Sequence, residues 1–179
     1  MILDALLTFS GGLGGAAGYA DSPTTGTQNS SNIIDLGVID GIPTSANGGG
    51  ARDIGTGDKP SLKLSALVTT AFASGTSLQL ELQGAPDNLS GAPGTWTTMW
   101  QGEAVVEANL DAGVQMANID VPRPVPEQAM PRFLRMRYVT VGTHTAGALI
   151  AQIVIDRDDQ VIGSGGAYSG YPAGITVAN

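Results

Sequence analysis

The sequence predicts an all-β protein: an antiparallel β-sandwich of jelly-roll-like form, with extended N- and C-terminal arms. Three observations lead there. Apolar residues recur at every second position in several short runs from residue 62 onward. Gly- and Pro-rich breakers separate those runs. Only residues 103–112 offer helical spacing, with Val106 and Leu110 one turn apart and Gly113 beyond them, and Val105-Val106 suits a strand equally. Short strands, glycine-rich turns and almost no helix are the marks of sandwiches and jelly rolls.

Taken in order, Ile33–Leu36 reads as a short early strand. In Leu62–Thr70 the even positions as far as Val68 are apolar and most odd ones polar, and Ser77-Leu78-Gln79-Leu80-Glu81-Leu82-Gln83 alternates throughout, as a half-buried strand does. Residues 84–94, with Pro86, Asp87, Asn88, Gly91, Pro93 and Gly94, form a loop. Trp96–Gln101 and Ala117–Val121 are weaker strand candidates. Four prolines between 122 and 131 make an extended connection. Leu134, Met136 and Tyr138 alternate with Arg135 and Arg137. Gly142-Thr143-His144-Thr145 then reads as a hairpin turn into Ala148–Ile155, which is apolar on both faces and so reads as a central strand. The organisation expected is an N-terminal arm over residues 1–31, a core over 32–160 with a long Gly-rich insert near 37–58, and a C-terminal arm over 161–179.

Composition narrows the function. The 179 residues suit one domain, and Leu, Ile, Val and Phe make up 42 of them, or about 23%, enough for a modest core. Charged residues are only 13%, so the surface is a neutral polar coat of Ser, Thr, Asn, Gln and Gly. A net charge of −8 without a basic tract argues against nucleic acid as a partner. With no cysteine there are no disulfides, thiol chemistry or cysteine metal sites. No apolar run reaches the ~18 residues of a membrane-spanning helix. The apolar opening Met1–Phe9 imitates a signal peptide, but Asp4 stands where positive charge belongs, so an ordered arm is the expectation.

Catalytic patterns are sparse. His144 is the single histidine, and its place in a turn suggests an exposed residue rather than a base. Asp156, Asp158 and Asp159 could form a cation loop, but the Gly and Glu that a calcium loop requires at its sixth and twelfth places are Val161 and Ala167. Gly12–Ala17 fits a dinucleotide string with no helix to follow it. No metal, cofactor or catalytic residue is therefore expected.

Binding patterns are better represented. Arg135 and Arg137 share one strand face, where they would either pair with Glu81 across the sheet or meet an acidic patch on a partner. Trp96 and Trp100, four apart, would share a face of a straight strand, as core residues or as a sugar-stacking platform. Tyr168, Tyr171 and Pro172 follow the hinge Gly163-Ser164-Gly165-Gly166, and with Leu6 and Phe9 they are the candidate anchors of the two arms.

The order of several segments resembles one known family. Ile33-Ile34-Asp35-Leu36-Gly37 leads into Arg52–Pro60, then Val68–Phe72 and Leu80–Asn88. Arg132-Phe133-Leu134-Arg135-Met136-Arg137-Tyr138 and Thr145–Ala151 complete the series, with similar ends at Met1–Phe9 and Tyr171–Gly174. This resembles the capsid cement, or decoration, proteins of short-tailed bacteriophages, although the insert Val38–Ala51 is longer than in that pattern. The resemblance implies a jelly-roll-like sandwich, dimeric and without catalytic residues, on the exterior of a virion assembled in the bacterial cytoplasm. Its partner would be the major capsid protein. The alternative expectation is a carbohydrate-binding sandwich of a phage tail or adhesin, using Trp96 or Trp100.

Overall fold

The computed structural model describes residues 7–10, 20–37, 62–122 and 131–155. They form an all-β antiparallel structure: β1 (Thr25–Asn29), β2 (Ile34–Asp35), β3 (Leu62–Ala85), β4 (Thr97–Gln101), β5 (Val105–Val106), β6 (Gln115–Asp120) and β7 (Phe133–Ile155). All seven strands belong to one sheet of order β1-β7-β3-β4, and it is not closed. Residues 103–112 form β5 and a short 3-10 turn, Glu107–Asn109.

β3 and β7 are much longer than the sequence suggests. They pair antiparallel from Leu62–Ile155 to Ala85–Phe133. The runs 62–70 and 77–83 are thus two halves of one strand, as are 134–138 and 148–155. The turn expected at Gly142–Thr145 lies inside β7, where Gly142 (φ +79°) makes an irregularity in the ladder instead of reversing the chain. At about 3.3 Å per residue, straight strands of this length would carry their ends far beyond any shared core. Register shifts between Val68 and Ser77 bend the pair instead. Leu64, Val68, Leu80, Leu82, Met136 and Ile153, from both sides of the bend, then join one buried cluster. The shifts also change the phase of β7: its residues in that cluster are even-numbered at 134, 136 and 138 and odd-numbered at 149, 151 and 153.

Phe72 and His144 fill the bend, ring edge against ring face at 5.1 Å. His144 is 2% exposed, correcting the expectation of an exposed turn residue. Its ring occupies the space that a side chain on Gly75 would need, since a Cβ there would stand 2.0 Å from His144 Cε1. Gly147 serves Phe72 in the same way: its φ of +133° disfavours other residues, and a Cβ would come within 2.2 Å of the Phe72 ring.

Two further lanes complete the sheet. Residues 97–121 run antiparallel along β3, with β4 on Glu81–Gly84, β5 on Ser77–Leu78 and β6 on Lys63–Leu67. Backbone bonds between Phe72 and Leu110 and between Val68 and Val114 bridge the gaps. On the other side, Asp21 bonds Leu149 reciprocally, β1 lies on Arg137–Thr143 and β2 on Phe133–Leu134. The described part of the segment expected as an N-terminal arm is therefore bonded along β7.

A buried polar seam holds that lane. The Tyr138 hydroxyl donates to Asp21 Oδ2 (2.8 Å) and lies 3.2 Å from Ser10 Oγ, which accepts the Ala151 N–H (2.8 Å). The Ser31 hydroxyl donates to Asp21 Oδ1. Burial, reinforced by the Asp21 charge, raises the Tyr138 phenol well above its usual pKa, so it stays a donor.

Arg132 joins three segments at one end of the sheet. It binds Asp35 through two N–H···O bonds of 2.8 and 2.9 Å and also pairs with Asp87. Asp87 Oδ1 in turn accepts the N–H groups of Leu89 (2.9 Å) and Gly91 (3.0 Å), fixing the loop that leads to Trp96. The Arg132 hydrogen bond outweighs partial burial and holds the Asp35 carboxyl below its usual range. At Asp87 burial pushes the pKa upward, but Arg132 and the loop N–H groups together hold it low.

Two measurements test this architecture. Gly75→Ala should destabilise the fold by roughly 1–3 kcal/mol through overpacking, and His144→Ala should relieve much of that cost; additive effects in the double-mutant cycle would contradict the contact. Carboxyls with lowered pKa contribute stability above their unfolded pKa of about 3.9 and lose it as pH falls through the lower folded value. Between about pH 5 and 2.5 the wild type should therefore lose more stability to urea than the Asp35→Asn/Asp87→Asn variant. Parallel pH profiles would show that Arg132 does not tie these segments.

Candidate interaction surface

The face of β3 and β7 turned away from the core carries the residues between the apolar ones: Gln79, Glu81 and Gln83 on β3, Arg135, Arg137 and Val139 on β7. Antiparallel register sets Glu81 opposite Arg137 and Gln83 opposite Arg135. Arg137 Nη1 lies 3.1 Å from Glu81 Oε2, which realises the cross-strand ion pair anticipated from the sequence. Gln83 Nε2 donates to Thr98 Oγ1 (3.2 Å), and the Thr98 hydroxyl donates to Glu81 Oε2 (3.4 Å). Farther along, Gln79 Nε2 donates to the Gly102 carbonyl (2.9 Å). Glu81 is only 7% exposed and Gln83 only 4%, so these polar groups are covered by their own neighbours. Buried polar groups need such partners to avoid a desolvation penalty, and here both have them.

Arg135 is held differently. Its Nε and Nη2 both donate to Gln83 Oε1, at 3.0 and 2.8 Å, and its guanidinium lies 4.1 Å from the centroid of the Trp96 ring. Among the described residues no carboxylate pairs with it. Burial, and secondarily the charge of Arg137, lowers its pKa from the usual arginine value. An ion pair would raise that value, as Asp35 and Asp87 do for Arg132.

The two tryptophans do not share a face. A bulge sets Trp100 opposite Leu82 and Thr98 opposite Gln83, with Met99 extra between them. Trp100 consequently packs against the core and over Gly102, where a Cβ would come within 2.9 Å of its ring. Trp96 falls on the outer face, with Arg135 across its ring. The paired platform imagined for a sugar is not formed.

The other sequence-derived site residues divide by position. Phe9 is fully buried in the chain's own core, with its N–H bonded to the Ala151 carbonyl (2.9 Å), so its ring is not available to a partner. An arm residue read from the sequence is thus a core residue, because the strand edge at Ala151 captures its backbone. Leu6, Tyr168, Tyr171, Pro172, Asp156, Asp158, Asp159 and Gly12–Ala17 lie outside the described residues. Among the described residues no group of three His, Asp or Glu side chains is placed to hold a metal ion.

Sequence reasoning missed Gln83 and Trp96 as the partners of Arg135, and Asp35 and Asp87 as those of Arg132. The first miss had a usable signal: antiparallel pairing of the two alternating runs with Glu81 on Arg137 places Gln83 on Arg135. Trp96 had none, because the bulge that turns it outward leaves no trace in local alternation.

No curated protein matches the sequence. A family model, Bbp16, matches residues 20–153, a span that begins beside the Asp21–Leu149 bridge and ends within β7. The match takes in β1 to β6 and most of β7, and on this evidence the chain belongs to the Bbp16 family.

Proposed function

We propose that the chain is a structural decoration protein that binds the outside of a phage head as a homodimer and stabilises contacts between major capsid proteins. In this reading the bent sheet, whose two halves share one core, acts as a jelly-roll-like sandwich. The observation that carries the reading is the outer face of β3 and β7. It is a polar surface whose side chains are already fixed by one another, so docking costs little side-chain entropy. It also bears two guanidinium groups against one carboxylate on a chain of net charge −8.

The resemblance of the segment order to that of cement proteins supports the same reading, as does the sparsely charged composition, which suits a particle exterior. A brace that binds only the assembled, expanded lattice stabilises that state by mass action. Many weak contacts repeated by symmetry then supply avidity without a single tight site. The proposal assigns no catalytic step or cofactor to the chain.

The test is direct. Purified protein titrated onto expanded, DNA-free heads of the cognate phage should bind saturably and raise the temperature at which the heads come apart. Heads that neither bind it nor gain thermal resistance would overturn the proposal.

A further inference from the structure

The geometry points to Arg135 as a docking fork for an acidic side chain of a protein partner, one carboxylate for each copy of the chain. A guanidinium has five N–H donors in a plane. Gln83 takes the edge formed by Nε and one N–H of Nη2. The end formed by Nη1 and the remaining N–H of Nη2 has no hydrogen-bond partner among the described residues. Those donors are parallel and spaced to match the two oxygens of a carboxylate.

The surroundings make this fork rigid. Trp96 supports one face of the guanidinium at 4.1 Å, and Gln83, itself 4% exposed and bonded to Thr98, fixes its rotation. Arg135 is half-buried, so its charge is partly stripped of water before any partner arrives. Arg137, two residues along the same face, is paired with Glu81, which leaves Arg135 as the uncompensated positive charge that favours an incoming anion. A single planar fork suits one carboxylate, whereas a polyphosphate chain would bring dense negative charge against a protein of net charge −8. An acidic protein side chain is therefore the occupant.

This inference rests on the decoration reading only for the identity of the partner, and two experiments separate them. In the first, arginine side-chain and indole NMR signals of the isolated protein are followed while a hexaglutamate peptide is added. The Arg135 Nη and Trp96 Nε1 signals should shift saturably. Arg135→Gln should abolish the Trp96 response, and a hexaglutamine peptide should produce none. No shift in the wild type, or an equal shift with inorganic phosphate at the same concentration, would overturn the carboxylate assignment.

In the second, binding to heads is compared for the wild type, Arg135→Lys, and Lys63→Gln as a charge control on the other half of β3. Arg135→Lys retains the charge but loses the planar fork, and should bind at least about tenfold more weakly, with Lys63→Gln close to wild type. Equal binding by all three overturns the fork and leaves the decoration reading standing. If the wild type does not bind heads, the decoration reading falls, and the peptide titration alone decides the fork.

Discussion

The antiparallel pairing of β3 with β7 is the constraint on which the other described elements depend. Each strand supplies one edge to its partner and the other to an outer lane, so residues 21–36 and 97–121 have places only once the central pair exists. The pairing is also expensive to form. It joins residues far apart in the chain, so much loop-closure entropy is lost before the ladder repays it. Burial of the apolar set on one face offsets that loss, and the bend lets both halves contribute to the same cluster.

The bend has a local chemical basis. A continuous ladder would keep both strands straight; the irregularities between Val68 and Ser77 interrupt it, and Gly75 and Gly147 leave room for two rings. His144 brings a polar group into that space. Its Nδ1 is buried without a hydrogen-bond partner among the described residues, while Nε2 lies 3.4 Å from the Ser77 carbonyl. The imidazole is accepted there for its shape, against Phe72 and over Gly75. On the opposite face of β3 and β7 the same register that aligns the core aligns Glu81 with Arg137 and Gln83 with Arg135. Core and candidate surface are thus two consequences of one pairing.

Much of this was legible in the sequence because alternation is a local property. The runs at 62–70, 77–83, 134–138 and 148–155 were visible as strands, and in the first three so were the buried faces; 148–155 read as covered on both faces, whereas Ala148, Ile150 and Gln152 are only half-buried. Their fusion into two long strands was not. Gly142 beside Thr143 looks the same whether the chain turns back or bulges, and the choice is made by β3, far away in sequence. β1 was invisible for another reason: Thr25–Asn29 lies on the edge of the sheet with little burial, so backbone bonds and the Tyr138–Asp21 contact hold it without an apolar pattern. Arg135 and Arg137 were legible as a pair on one face, but Trp96 joined them through a bulge on another strand.

The physical claim at the centre is that the bent β3–β7 pair forms one cooperative unit. Native-state hydrogen exchange across a denaturant series tests it most directly. The account predicts that the slowest sheet amides of residues 63–67 and 149–154 exchange with the same opening free energy and denaturant dependence as those of 78–83 and 134–139. Exchange of one half through a separate, smaller opening while the other stays protected would contradict it.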